Sequence, residues 1–244
     1  MKAVGVIPAR YASTRFPGKP LALIKGRPML AWVIEGAKQS KLLKEIIVAT
    51  DDERIAQVAK SGGVRAVMTD SKLPSGSDRV WAAIQDLDVD VAVNIQGDEP
   101  LITGKLLDQL VAPFAVDSQL NMATLGRELQ PGDMQSNTTA KIVLNHRDEA
   151  LYFSRLPIPY SRVDAPHAGG VGLKHIGLYA YRKDFLKQFC AQQPVPLELA
   201  EGLEQLRALY LGARIRVIRV EHESWGVDTP EDVKKIEQIL EKKS

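Results

Sequence analysis

The first hundred residues alternate between two hydrophobic rhythms. Short unbroken apolar runs read as strands covered on both faces: Val4, Val6 and Ile7 at the start, Ile46-Ile47-Val48-Ala49 in residues 45–50, residues 64–68, and residues 90–95. Between these runs the apolar positions recur at helical spacing. Leu30, Val33, Ile34 and Ala37 share one face of residues 29–40, and Ile55 with Val58 and Ala59, Val80 with Ala83 and Ile84, and Leu106 with Leu107 and Leu110 repeat the pattern. Such alternation predicts an α/β fold, with a mostly parallel central sheet, helices on both faces, and a ligand site beyond the carboxyl ends of the strands. Each strand runs into a polar tip that should share that edge: Pro8-Ala9-Arg10, Thr50-Asp51-Asp52-Glu53, Pro74-Ser75-Gly76-Ser77-Asp78-Arg79, and Gln96-Gly97-Asp98-Glu99-Pro100.

The rhythm then changes. Residues 122–125, 141–144 and 173–182 read as strands with fewer helices between them and more proline and glycine, an antiparallel addition to the sheet with an arm around residues 152–160. Residues 198–210 carry Leu199, Leu203, Leu206 and Leu209 on one face of a predicted helix, and residues 215–220 supply a last strand. Asp228-Thr229-Pro230-Glu231-Asp232 opens a closing helix that buries Val233, Ile236 and Leu240. With 244 residues the chain is expected to be a single domain over 1–244, with an arm or subdomain around 121–182.

Composition narrows the partners. Hydrophobic residues make up 45% and charged residues 25%, as in an ordinary globular protein, and no apolar run approaches the ~18 residues of a membrane span. With no basic leader and cleavage site before the first strand, the cytoplasm is the expected compartment. The lone cysteine, Cys190, excludes an internal disulfide, and four scattered histidines form no zinc cluster, so a metal would be held by carboxylates. A net charge of +2 does not demand nucleic acid, and few aromatics interleave with the clustered charges.

The clustered charge lies in the loop after the first strand. Neither GxGxxG nor GxxxxGK[ST] follows that strand, so a phosphate loop here is of another kind. Arg10, Arg15 and Lys19, stiffened by Pro8, Pro17 and Pro20, could hold a polyphosphate, or form a solvated basic loop. Asp98, where a buried strand stops, is a candidate magnesium ligand and equally a turn or cap aspartate; Asp228 could join it or simply start the last helix. Ser75, Gly76 and Arg79 could meet a base and sugar or only cap a helix. His175 and Tyr179, four apart, should point to one face of a strand, and Glu204-Gln205 interrupt the leucine face of their helix, as a ligand site or as ordinary packing and solvated positions.

In order, IPARYASTRFPGKPL from Ile7, ATDD from Ala49, SGSDR from Ser75, NIQGDEP from Asn94, LYFSR and PIPY from Leu151, KHIGLYAYR from Lys174, LEQLR from Leu203 and GVDTPED from Gly226 resemble the 3-deoxy-manno-octulosonate (KDO) cytidylyltransferases over nearly the whole chain. The resemblance implies a Rossmann-like nucleotidyltransferase fold, a homodimer, a magnesium requirement, and transfer of CMP from CTP to the anomeric hydroxyl of KDO for lipopolysaccharide biosynthesis. It also implies that Pro8, Ala9, Arg10, Arg15, Lys19, Ser75, Gly76, Arg79 and Asp98 bind nucleotide. Asp98 and Asp228 would hold magnesium and, with Arg15 and Lys19, carry catalysis. Gln96, Arg155, His175, Tyr179, Glu204 and Gln205 match the sugar site. The same nucleotide half would serve 8-amino-KDO or another acidic sugar, and a noncatalytic nucleotide-binding homologue would keep the fold without the reaction.

Overall fold

A computed structural model describes residues 1–12, 16–160 and 172–242. They form two compact units, 1–111 with 224–244, and 112–223.

The first unit begins with β1 (Ala3–Ala9), whose side chains at Ala3, Val4, Val6, Ile7 and Ala9 are buried. A one-turn 3₁₀ segment, Lys19–Leu21, precedes a small antiparallel hairpin of β2 (Leu23–Ile24) and β3 (Arg27–Pro28). Then follow α1 (Met29–Lys38), β4 (Leu43–Thr50), α2 (Glu53–Ser61), β5 (Arg65–Met68), α3 (Gly76–Ile84), β6 (Val91–Asn94) and α4 (Gly104–Val111). β1 pairs in parallel with both β4 and β6, and β4 pairs in parallel with β5. The registers Ala9↔Thr50, Thr50↔Met68 and Val6↔Asn94 put all four carboxyl ends on one edge, as the alternation predicts.

The second unit contains α5 (Pro113–Val116), β7 (Met122–Glu128), β8 (Lys141–Leu144), β9 (Ala150–Ser154), β10 (Leu173–Arg182), α6 (Lys183–Ala191), α7 (Pro196–Glu201), α8 (Gln205–Tyr210) and β11 (Ile215–Arg219). β10 runs antiparallel to β7 and β8, and β8 antiparallel to β9, so the antiparallel addition is present; β11 joins β7 in parallel. The expected arm begins on β9, and residues 161–171 beyond it lie outside the described residues.

The closing helix, α9 (Pro230–Lys242), belongs to the first unit, where Ile236 packs with Ile24, Met29 and Val227. The hairpin fastens to it, because the backbone N–H of Lys25 donates to Glu237 at 2.7 Å. The structure corrects one expected element. The helix expected over 198–210 is two helices, interrupted at Gly202, which takes the left-handed conformation with φ 61° and ends α7. Leu199 is consequently 69% exposed, whereas Leu203 and Leu206 beyond the break are buried. The leucine spacing runs across the break, but one glycine in that backbone region suffices to end a helix.

Candidate active site

A cavity of about 320 Å³ opens at the strand-end edge of the first unit. Pro8, Ala9, Arg10, Lys19, Ser75, Gly76, Arg79, Gln96, Asp98 and Asp228 all line it. Arg15, assigned to the same group by resemblance, lies outside the described residues.

Local structure explains why these side chains converge. Gly18 takes a left-handed backbone, φ 70°, and its N–H donates to the Tyr11 carbonyl at 2.9 Å. That glycine immediately precedes the 3₁₀ segment carrying Lys19. Lys19 Nζ donates to Asp98 Oδ2 at 2.6 Å and to Asp228 Oδ1 at 3.4 Å. Helix starts elsewhere are satisfied by other residues. Thr103 Oγ1 accepts the N–H of Leu106 at the start of α4, and Asp232 Oδ2 accepts the N–H groups of Asp228 and Thr229 before α9. Both candidate carboxylates are thereby turned to the lysine rather than to a helix cap. Ser75, by contrast, does cap: its Oγ accepts the Asp78 N–H at 3.2 Å and donates to the Asp78 carboxylate at 2.7 Å.

Arg79 holds two strand ends together. Its buried guanidinium donates to Thr69 Oγ1 at 2.6 Å and to Asp51 Oδ2 at 3.4 Å, and Asp51 also accepts the Tyr11 N–H at 3.2 Å. The loop after β1, the tip of β4 and the segment after β5 therefore share one buried ionic hub. Such a hub preorganises a ligand edge, because its backbone groups do not have to be ordered when ligand arrives.

Glu99 is a participant that motif reading passed over. It is only 6% exposed, Ser224 Oγ donates to its Oε1, and burial, with the Asp98 charge adding to it, pushes its carboxyl up to about 7 against that hydrogen bond. Its signal was its place inside NIQGDEP; nothing in the spacing distinguishes it from a solvated turn glutamate.

In the second unit His175, Tyr179, Glu204 and Gln205 come together. The pairing of β10 with β7 shifts between Ile176 and Tyr179, so the His175 and Tyr179 rings stand 5.5 Å apart. A regular strand would separate residues four apart by about 13 Å. Tyr179 Oη donates to Gln205 Oε1 at 3.2 Å, which turns Gln205 Nε2 toward His175 Nδ1 at 3.4 Å. Nδ1 is then an acceptor, so Nε2 carries the proton and donates to Thr124 Oγ1 at 3.0 Å, while the Thr124 hydroxyl donates to the Leu178 carbonyl at 2.9 Å. Burial holds the imidazole down, to about 3, so it is neutral at ordinary pH. Burial first and the Glu204 charge second raise the Tyr179 phenol. Thr124 is the second residue the sequence reading missed, one hydroxyl within the apolar run of β7.

Arg155 is placed differently. Its Nε donates to the Glu201 carbonyl at 2.8 Å and an Nη to the Gly202 carbonyl at 3.2 Å, clasping β9 to the turn between α7 and α8. Lys141 supports it from behind, donating to the carbonyls of Ser136, Thr139 and Arg155. Gln96 belongs to the first unit and lines the cavity there.

Among the described residues no three His, Cys, Asp or Glu side chains are grouped to hold a metal. Asp98 and Asp228 do fit magnesium, which binds through one or two carboxylates and completes its shell with water and substrate phosphate. Their convergence on a single ammonium shows that both can face one cation.

A charged cavity at the carboxyl ends of parallel strands defines a ligand-binding α/β protein. A family model described as cytidylyltransferase matches residues 4–215. The 3-deoxy-manno-octulosonate cytidylyltransferase of Bdellovibrio bacteriovorus is 60% identical over 242 residues, 98% of each chain, and that of Geobacter metallireducens is 46% identical over 249 residues, again 98% of each. A solved CMP:2-keto-3-deoxy-manno-octonic acid synthetase complexed with CTP superposes over all of both chains, with 41% identity and a TM-score of 0.94. The chain belongs to the 3-deoxy-manno-octulosonate cytidylyltransferase family.

Proposed function

We propose that this protein transfers CMP from CTP to the anomeric hydroxyl of KDO, releasing pyrophosphate, as a magnesium-dependent cytoplasmic homodimer that supplies lipopolysaccharide biosynthesis. The observation that carries the reading is the cavity in which Lys19 faces Asp98 and Asp228, in a chain 60% identical to a KDO cytidylyltransferase over 98% of its length. In the reaction the sugar hydroxyl oxygen attacks the α-phosphorus, the bond from α-phosphorus to the bridging oxygen breaks, and that oxygen leaves with its electron pair on pyrophosphate. The hydroxyl proton is released.

No side chain needs to become covalently attached. Asp98 and Asp228 would hold a magnesium ion, which when bound neutralises charge at the reacting phosphate. Arg10 and Lys19 stabilise the polyphosphate and the departing pyrophosphate, and Arg15 completes the basic loop. Ser75, Gly76 and Arg79, with Pro8 and Ala9, form the bed for base and ribose. His175, Tyr179, Glu204 and Gln205, with Arg155, recognise the sugar acid; Gln96, given to the same substrate by resemblance alone, lines the cavity of the first unit. The uncharged members of the sugar set, His175, Tyr179 and Gln205, suit hydroxyl groups, since a substrate lacking one leaves its buried partner unsatisfied.

Steady-state pyrophosphate release from CTP and magnesium with KDO, 8-amino-KDO or a sialic acid tests the assignment. Turnover with KDO at the highest kcat/KM is expected. Preference for another of these sugars overturns the choice of substrate, and no release with any of them overturns the transferase reading.

A further inference from the structure

The Lys19 ammonium occupies the position between the two carboxylates that the proposed function assigns to a divalent ion. It lies 2.6 Å from Asp98 Oδ2 and 3.4 Å from Asp228 Oδ1, on a side chain only 16% exposed. Neither acid depends on Lys19 for its place. The Asp98 carbonyl accepts the Val227 N–H at 2.9 Å, and Ser224 donates to the adjacent Glu99, so the segment leading to Asp228 is tied directly to the one bearing Asp98. At its other side Asp228 is fixed through its own N–H, held by Asp232 at 3.2 Å. Two carboxylates are thus brought together by hydrogen bonds elsewhere, and the Lys19 ammonium, within reach of both, offsets part of their repulsion. No third carboxylate or imidazole joins them among the described residues to make a complete metal cage.

We propose that Lys19 is a built-in stand-in for the divalent ion: its single charge offsets part of the repulsion between Asp98 and Asp228 until nucleotide phosphates draw the ammonium away, so that ion and nucleotide enter together. The proposal rests on the reading of this pair as the metal site. A metal arriving alone must displace a close ammonium and gains only two protein ligands. A triphosphate gives the ammonium another partner and gives the ion further oxygens. Each therefore favours the other, a reciprocal coupling between two ligands of one site. The exchange also keeps a cation against the acids before and after binding, which avoids the cost of a partly buried carboxylate pair with no facing charge.

Binding of Mn²⁺ alone, followed by electron paramagnetic resonance on the full chain without nucleotide, tests this. Lys19→Met is expected to bind Mn²⁺ about tenfold more tightly than the wild type, because the competing charge is gone. Mn²⁺ should also raise its thermal unfolding midpoint by more than that of the wild type. Lys19→Gln, which keeps a polar end without the charge, should behave in the same way and serves if the methionine variant folds poorly. Mn²⁺ binding by folded Lys19 variants no tighter than wild type overturns the stand-in. Introducing Asp98→Asn into the Lys19→Met background separates the two ideas. Loss of the tight binding supports both, whereas tight binding that survives removes the ion from this pair and overturns the metal reading itself.

Discussion

The two clusters differ in how they use charge. In the first unit the cavity at the ends of parallel strands is lined by formal charge: Lys19 against Asp98 and Asp228, and Arg79, which pairs with Asp51. In the second, the line from Tyr179 through Gln205 and His175 to Thr124 consists of uncharged groups, with the imidazole held neutral and its hydrogen bonds running in one direction. The difference is what the proposed division of labour would require. Charged groups that exchange partners suit a triphosphate, whose charge changes position during the reaction. A neutral, preoriented set suits a polyol, whose hydroxyls are read by donor and acceptor direction.

The comparison breaks first if charge in the first unit is dispensable. Asp98→Asn should lower kcat by about a thousandfold while leaving the circular dichroism spectrum unchanged, since it removes stabilisation of charge at the reacting phosphate. Next comes the ionic hub. Arg79→Met leaves Asp51 buried without its cation and should cost about 3 kcal/mol in urea unfolding, whereas a cost below about 1 kcal/mol would mean that the pair is no hub.

The second cluster makes a pH-dependent claim. His175 is neutral in the fold, down to about 3, and takes up a proton near 6.5 when unfolded. Below about 6.5 the unfolded chain binds more protons than the folded one, so stability should fall as pH drops from there toward 4 and stay flat with respect to this group above it. His175→Gln should flatten that part of the curve, measured as urea midpoint against pH.

Smaller effects sharpen the contrast. Gln205→Leu cuts the neutral line in the middle and should raise the KM for KDO about tenfold with little change in that for CTP; an equal rise for both would dissolve the division. Gly202→Ala, at φ 61°, should cost about 1 kcal/mol in thermal or urea unfolding, because an alanine there meets the left-handed penalty.

Much of the parallel half was legible because its strands are buried on both faces and its tips change abruptly to polar. The edge shared by Pro8, Thr50, Met68 and Asn94 follows from that alternation. Where the reading stopped, local backbone events outweighed periodicity. Leucines at 199, 203 and 206 continue a helical spacing across Gly202, although the chain turns there. KHIGLY reads as an even strand, yet the shift around Gly177 and Leu178 is what brings His175 to Tyr179. The hairpin of Leu23–Ile24 and Arg27–Pro28 is too short to show any pattern, its signal confined to Lys25-Gly26, both with positive φ. At the last helix two acids could have capped; spacing does not say that Asp232 does so and that Asp228 turns to Lys19.

The division of labour presupposes one reaction joining a nucleotide to a sugar acid, and ³¹P NMR of the protein with CTP, KDO and Mg²⁺ tests that most directly. The account predicts that the triphosphate resonances disappear while pyrophosphate and a phosphodiester signal grow in equal amounts. Triphosphate that persists, or pyrophosphate accompanied only by free CMP, would contradict it.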